Sequence, residues 1–260
     1  MQTRFYYLLK IQYLGYRLHG WQKQPNLKTV EGLIKKTLKF VLQDKKFKIL
    51  GAGRTDAMVS AQDAAFELFL DHYPLEDQEA FLKEFNLNLP PDIRATEIRE
   101  VDAKFNIIQH AKEKEYIYLF AYGEKSHPFC ASLLSTFAGH LDIELMKQGA
   151  KLFQGRHNFR NYCTKPTAQT QVERVIDLCE ITENDLISAS FFPEQTYLLR
   201  IRSAGFLRNQ IRLMMGALIQ LGRGEISLPD IEDSLDPDKK ILMDYIAPGS
   251  GLMINSISFK

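Results

Sequence analysis

Gly51-Ala52-Gly53-Arg54-Thr55-Asp56 lies between two runs of β-formers, Phe47–Leu50 before it and Ala64–Leu70 after it. The pattern predicts two strands joined through a glycine loop. Two glycines let the backbone take positive φ and let another chain or a ligand approach closely. Arg54 and Asp56, two residues apart, put a phosphate-seeking cation and an acid in one tight turn. Taken alone, the same stretch is also a loop with a turn aspartate. A third reading, a nucleotide-phosphate enzyme, lacks a P-loop lysine and a full G-x-G-x-x-G.

Outward from the loop, strands dominate. Phe5–Tyr13 is rich in β-formers. Thr29 is placed to cap a helix over Val30–Gln43, whose apolar residues Val30, Leu33, Ile34, Leu38, Val41 and Leu42 recur at helical spacing. A second helix is predicted over Glu76–Phe85, ending before Pro90-Pro91. Strands are expected over Ile93–Val101, Tyr116–Tyr122, Arg174–Ile181, Leu186–Phe192, Tyr197–Ser203 and Leu252–Phe259. Asp142 is placed to cap a helix running to Phe153, with Gly155 as its stop. Phe206–Leu221 predicts a helix apolar almost all round, hence buried, with Arg208 and Arg212 as a narrow charged stripe four residues apart. A half-buried arginine needs an anion, though a structural carboxylate would serve as well as a catalytic one. Many strands with a few helices predict an α+β fold.

The 260 residues fit one large domain or two small ones, with the break near Asp102–Lys112. Hydrophobic content of 45% and charged content of 25% are those of an ordinary globular protein. No apolar run approaches the roughly 18 residues that span a bilayer. The opening Met1-Gln2-Thr3-Arg4 leads directly into a strand, so no signal peptide is expected. Cys130, Cys163 and Cys179 are widely spaced and odd in number, which predicts a cytoplasmic chain with reduced thiols. No H-x-x-x-H or C-x-x-C pair exists, so no metal site is expected. A net charge of +1 and a pI near 7.7 do not announce a nucleic-acid binder, whose pI is often above about 9. Local asymmetry matters more. Acids gather in Leu75–Glu84 and Asp230–Asp238; bases gather at Lys45/Lys46/Lys48, Lys112/Lys114, Arg156/Arg160/Lys165 and Arg200/Arg202/Arg208/Arg212.

Further blocks change the weight of the glycine loop. Gly20-Trp21-Gln22-Lys23-Gln24-Pro25 is followed by Thr29-Val30-Glu31-Gly32. Then come Leu89-Pro90-Pro91-Asp92-Ile93, Lys114-Glu115-Tyr116-Ile117-Tyr118, Pro128-Phe129 and Gly155-Arg156-His157-Asn158-Phe159. Gly205-Phe206-Leu207 with Ile211-Arg212 and Gly216, and Ala247-Pro248 with Gly251-Leu252, complete the series. In this order, over nearly the whole chain, they resemble the TruA-type family of tRNA pseudouridine synthases.

The resemblance implies a fold of two similar α/β-sandwich-like halves with mainly antiparallel sheets, meeting at a central RNA-binding cleft. The halves would be residues 1–107, carrying the aspartate loop, and 108–260, carrying Tyr116 and Arg212. It implies isomerisation of uridine to pseudouridine in tRNA, with the anticodon stem-loop, positions 38–40, as first guess. No cofactor is implied; a homodimer is. Asp56 would be the catalytic carboxylate at the ribose, either attacking C1′ or removing a ribose proton. Arg212 would pair with it, favouring its charged form. Tyr116 would stack on the uracil and assist proton removal from C5; in its alternating strand it shares a face with Tyr118 and Phe120, which also suits a core role. Arg54, Arg208, Lys114 and Trp21 would handle the RNA, Trp21 being equally suited to anchor the core. An inactive RNA-binding relative acting as a tRNA-folding aid is the alternative. The family's D-x-G-V-H-A continues here as Asp56-Ala57-Met58-Val59-Ser60-Ala61, without the glycine or the histidine. F-H-A-R has become Phe105-Asn106-Ile107-Ile108. These departures fit a divergent member with its own target uridine.

Overall fold

The predicted strand–loop–strand forms: β2 (Phe47–Gly51) and β3 (Ser60–Asp71) pair antiparallel, with Gly51 opposite Phe66. The computed structural model describes residues 4–43, 45–239, 241 and 243–259; the first three residues, where the signal-peptide expectation begins, lie outside that range. In chain order the elements are β1 (Arg4–Tyr13), α1 (Val30–Val41), β2, β3, α2 (Gln78–Asn88), β4 (Ile93–Val101), β5 (Ala111–Gly123) and β6 (Ser135–Ala138). They continue with α3 (Ile143–Leu152), β7 (Gly155–Asn158), β8 (Glu173–Ile176), β9 (Leu178–Glu183) and β10 (Tyr197–Ser203). α4 (Gln210–Gly222), α5 (Leu228–Ser234) and β11 (Leu252–Phe259) close the chain. The fold is α+β, and its strand pairs are mainly antiparallel.

The chain divides into two units, residues 1–112 with 254–260, and residues 113–253. In the first unit β1 pairs with both β3 and β4, antiparallel. Tyr7, Leu8, Leu9 and Ile11 of β1 are buried. Thr29 caps α1 as predicted, its Oγ1 accepting from Gly32 N, and Val30, Ile34 and Leu38 are buried one turn apart. The helix stops at Val41, short of the expected Gln43, because Gln43 takes a φ of +49°. Asp77 caps α2, and Phe81 stacks on Phe85 with ring centroids 5.7 Å apart. The end of β11 belongs to this unit: Lys10 Nζ donates to Ile257 O at 2.7 Å, and the Asp63 carboxylate accepts from Ile257 N.

In the second unit β10 lies between β5 and β9, antiparallel to both, and β6 runs parallel to β5. β7 and β8 form a separate two-stranded antiparallel ribbon. Ile117, Leu119, Ala121, Cys130, Leu134, Leu198 and Met253 form a buried cluster. α4 is buried at every position except Arg212 and Gln220, which matches its all-round apolar pattern. A side chain at Gly149 of α3 would meet Leu221 of α4 at 2.4 Å, so α3 and α4 approach closely there.

Three further expectations are corrected. Arg174–Ile181 is not one strand: β8 pairs with β7 and β9 with β10, and the chain changes partner at Asp177, whose N–H donates to Arg202 O. Leu186–Phe192 is not a strand. The Asn184 side chain accepts from Leu186 N and Ile187 N and donates to Ile187 O, which folds the segment back on itself. α4 begins at Gln210, not Phe206, because Asn209 takes a φ of +59°. Arg208 therefore lies in the loop before the helix and shares no helical stripe with Arg212.

Candidate active site

The first unit contributes the loop 51–58. Its shape is fixed by the segment after β1. Gly20 has a φ of +80°, and a Cβ there would sit 2.4 Å from Thr55 O. Trp21 N–H donates to Thr55 O at 3.1 Å. The Trp21 indole packs against Gly51, where a Cβ would fall 2.5 Å from the ring. Tyr13 and Thr55 hydroxyls meet at 3.1 Å. Gly20 O and Trp21 O accept from Val30 N and Glu31 N, so the first turn of α1 supports the same segment. Trp21 is 5% exposed and thus an anchor beneath the loop. On that support Asp56 is half-buried and Arg54 is exposed.

Behind Asp56 the chain turns through Met58, at φ +68°. That is the left-handed region favouring glycine. Met58 N–H donates to Leu18 O at 3.0 Å. Ser60 is buried and accepts from Gly15 N at 2.9 Å. Gly15 permits this approach, since a Cβ there would collide with Val59 O.

The second unit gathers the other candidates around β5 and α4. Lys114 and Tyr116 occupy alternate positions on β5, opposite Ser203 and Ile201 of β10. Tyr116 is 8% exposed and meets Phe206 edge-on, with centroids 5.2 Å apart. Burial holds the Lys114 ammonium below the ordinary lysine range. The Arg212 guanidinium donates through Nε to Ala247 O at 2.7 Å and through Nη1 to Asn209 Oδ1 at 3.3 Å. Arg212 O in turn accepts from Ala247 N. The segment reaches Arg212 because Gly216, one turn on, has no side chain: a Cβ would lie 1.7 Å from Tyr245 O. Arg208 is exposed in the loop just before α4.

Sequence reasoning missed the group that ties this cluster together. Tyr118 is fully buried, and its hydroxyl donates to Pro248 O at 2.8 Å, the residue after Arg212's acceptor. Burial pushes the Tyr118 phenol well above its usual range. Gly251 makes room for the ring, where a Cβ would lie 2.7 Å from Tyr118 Cε1. The available signals were Tyr118's own place in the Lys114–Tyr118 block, where it suited a core role, and Ala247-Pro248 with Gly251, a turn without chemistry of its own. Among the described residues, no group of three His, Cys, Asp or Glu side chains is placed to hold a metal ion.

A family model described as tRNA pseudouridine synthase matches residues 150–259, which include α4 and the 245–252 segment. tRNA pseudouridine synthase A of Dictyoglomus thermophilum is 30% identical over 252 residues, 96% of this chain and 98% of that protein. The chain belongs to the tRNA pseudouridine synthase family. tRNA pseudouridine synthase A of Thermodesulfovibrio yellowstonii is 28% identical, and tRNA pseudouridine synthase A 2 of a Bacillus cereus strain 29%. Both alignments cover at least 96% of each chain. Within this pseudouridine synthase scaffold, the blocks that bear no chemistry have a visible use. Gly20 and Trp21 shape the Asp56 loop, and Gly216, Ala247 and Gly251 brace Arg212 and Tyr118.

Proposed function

We propose that this chain isomerises uridine to pseudouridine in tRNA, with the anticodon stem-loop, positions 38–40, as the first site to test. The observation that carries the reading is the bracing of two candidate groups by otherwise inert family blocks: Trp21 over Gly51 beneath the Asp56 loop, and Ala247 O on Arg212 Nε. A positioned group loses little freedom when substrate arrives, which is where enzymes gain much of their rate.

The reaction breaks the bond from uracil N1 to ribose C1′, turns the base, joins C5 to C1′, and moves the C5 proton to solvent. Asp56 is the carboxylate of the first step, attacking C1′ or taking a ribose proton. Arg212 is the cation of the proposed catalytic set. Tyr116 offers an aromatic face to the unstacked base and assists removal of the C5 proton. Arg54 takes a phosphate or fills the gap left by the extruded nucleotide. Lys114 and Arg208 contribute cations to the RNA; Trp21 contributes through the loop it supports. The first unit thus brings the acid, and the second brings Tyr116 and Arg212. Substrate and product are isomers, so the step needs no oxidant, reductant or group donor. A cytoplasmic homodimer completes the proposal.

Tritium release from tRNA labelled at uridine C5 tests it. Asp56→Asn keeps the shape but removes charge and basicity. It should abolish release while thermal stability and tRNA binding stay near those of the parent. Parent protein that bound tRNA well but released no tritium from any cellular RNA would be a folding aid and not a synthase.

A further inference from the structure

Three arginines of the second unit stand on the segments that meet near Cys163. The 3-10 turn Arg160–Tyr162 follows β7 and delivers Cys163 and Thr164 to the loop before α4. Thr164 N–H donates to Arg208 O at 3.2 Å, and Asn209 Nδ2 donates to Thr164 Oγ1 at 3.0 Å. β8 lies beside β7, with Arg174 opposite His157. Cys163 N–H donates to Arg160 O at 3.3 Å, so consecutive residues, Cys163 and Thr164, tie the backbones of Arg160 and Arg208 together; Arg160 and Arg208 are exposed and Arg174 is half-buried. A cleft of about 240 Å³ lies at Arg174, lined also by Arg156, Ser203 and Gly205 among others. Its acidic members are Glu173 and Asp177. Arg156 meets Glu173 only at 3.9 Å, with both side chains exposed.

Among the described residues, none of Arg160, Arg174 and Arg208 forms an ion pair; Arg174 Nη1 donates to the Glu173 carbonyl. Like charges held together repel, and an anion with several oxygens relieves that repulsion. Guanidinium forks match phosphate oxygens two at a time. The three stand on a turn, a strand and a loop, an open arrangement suited to a line of phosphates. The loop that carries Arg208 reaches Arg212 four residues later.

We propose that Arg160, Arg174 and Arg208 form a clamp for consecutive backbone phosphates of the RNA substrate beside the start of α4. This rests on the tRNA reading above and adds Arg160 and Arg174 to its RNA-handling residues.

The test is the salt dependence of binding to a tRNA transcript, measured without turnover. The triple variant Arg160→Gln/Arg174→Gln/Arg208→Gln should lose about 2–3 from the slope of log affinity against log salt, near one per phosphate contact. In the isomerase assay KM should carry most of the loss. Lysine at the three positions should restore most of the slope, a rescue that a merely structural role would not give. Cys163 supplies a second readout in the parent protein. It is the half-buried thiol, while Cys130 and Cys179 are buried. Bound tRNA should slow its alkylation by N-ethylmaleimide about fivefold at mildly alkaline pH. A folded triple variant with the parental slope would overturn the clamp. So would protection of Cys163 by poly-glutamate but not by tRNA, which would mark a site for an acidic protein. Parent protein that binds with the expected slope yet isomerises nothing would sink the synthase reading and leave the clamp standing.

Discussion

Met58 holds a backbone conformation that costs a side-chain-bearing residue about 1–2 kcal/mol, two positions after the candidate acid. The family pattern has glycine there. Glycine has more freedom to lose on folding, which offsets about 0.5–1 kcal/mol. Met58→Gly should therefore stabilise the protein by about 0.5–1 kcal/mol, read from denaturant midpoints, without displacing Asp56. Glu67 is a second anomaly. It is 1% exposed at the centre of β3, its Oε2 accepts from Ile107 N, and its Oε1 has no hydrogen-bond partner among the described residues. Burial raises its carboxyl above the usual range, opposed by the Ile107 N–H and the nearby His110. In the window between the unfolded and folded values, the native state holds a proton that the unfolded chain has released. Stability contributed by this group is thus present at low pH and lost as pH rises through that window. Glu67→Gln should raise the melting temperature at neutral pH and do so less at pH 4; a uniform shift would contradict this. At Arg212, lysine would keep the charge but not the fork that reaches Ala247 O and Asn209 Oδ1. Hydrogen bonds to charged groups contribute about 1.5–3 kcal/mol, so Arg212→Lys should destabilise on that order in thermal melts and also slow tritium release.

Among elements, α4 is the one whose neighbours decide its use. Gly216→Ala would push a methyl into Tyr245 O. Overpacking of this kind costs about 1–3 kcal/mol. The segment from Tyr245 to Ala247 would shift, and Arg212 would lose its acceptor. The expected result is a folded, less stable protein whose isomerase activity falls further than its tRNA affinity. The burial of α4 was legible in its sequence, because an unbroken apolar surface has nowhere else to go. Its first residue was not, because Asn209 takes a left-handed φ that composition does not announce. The strands β4, β10 and β11 were legible to the residue. Leu186–Phe192 misled, because its β-formers serve instead as packing: Ile187, Phe191 and Phe192 lie against the core cluster. Asp56, Tyr116 and Arg212 stood out by their motifs. The support beneath them did not, since Trp21 on Gly51 and Tyr118 on Pro248 are contacts between residues 30 and 130 positions apart. Only the folded chain brings such residues together.

For the molecule as a whole, the near-neutral charge of +1 means that basic surface must come from local gathering. Two subunits would double it. Light scattering should give twice the 30.0 kDa chain mass at working concentration, and a fully active monomer would refute this. The membership of Ile254–Lys260 in the first unit has a different consequence, one that concerns time. That unit's first 112 residues leave the ribosome early, but Ile257, which accepts from Lys10 and donates to Asp63, emerges only after the entire second unit. At about 5–20 residues per second the delay is on the order of ten seconds. During it the nascent first unit has an open place where its last strand belongs. Chaperones that bind emerging chains would find that place, and the second unit should reach protease resistance first. Pulse-labelling of stalled nascent chains would show whether residues 1–112 resist digestion only once the final strand is out.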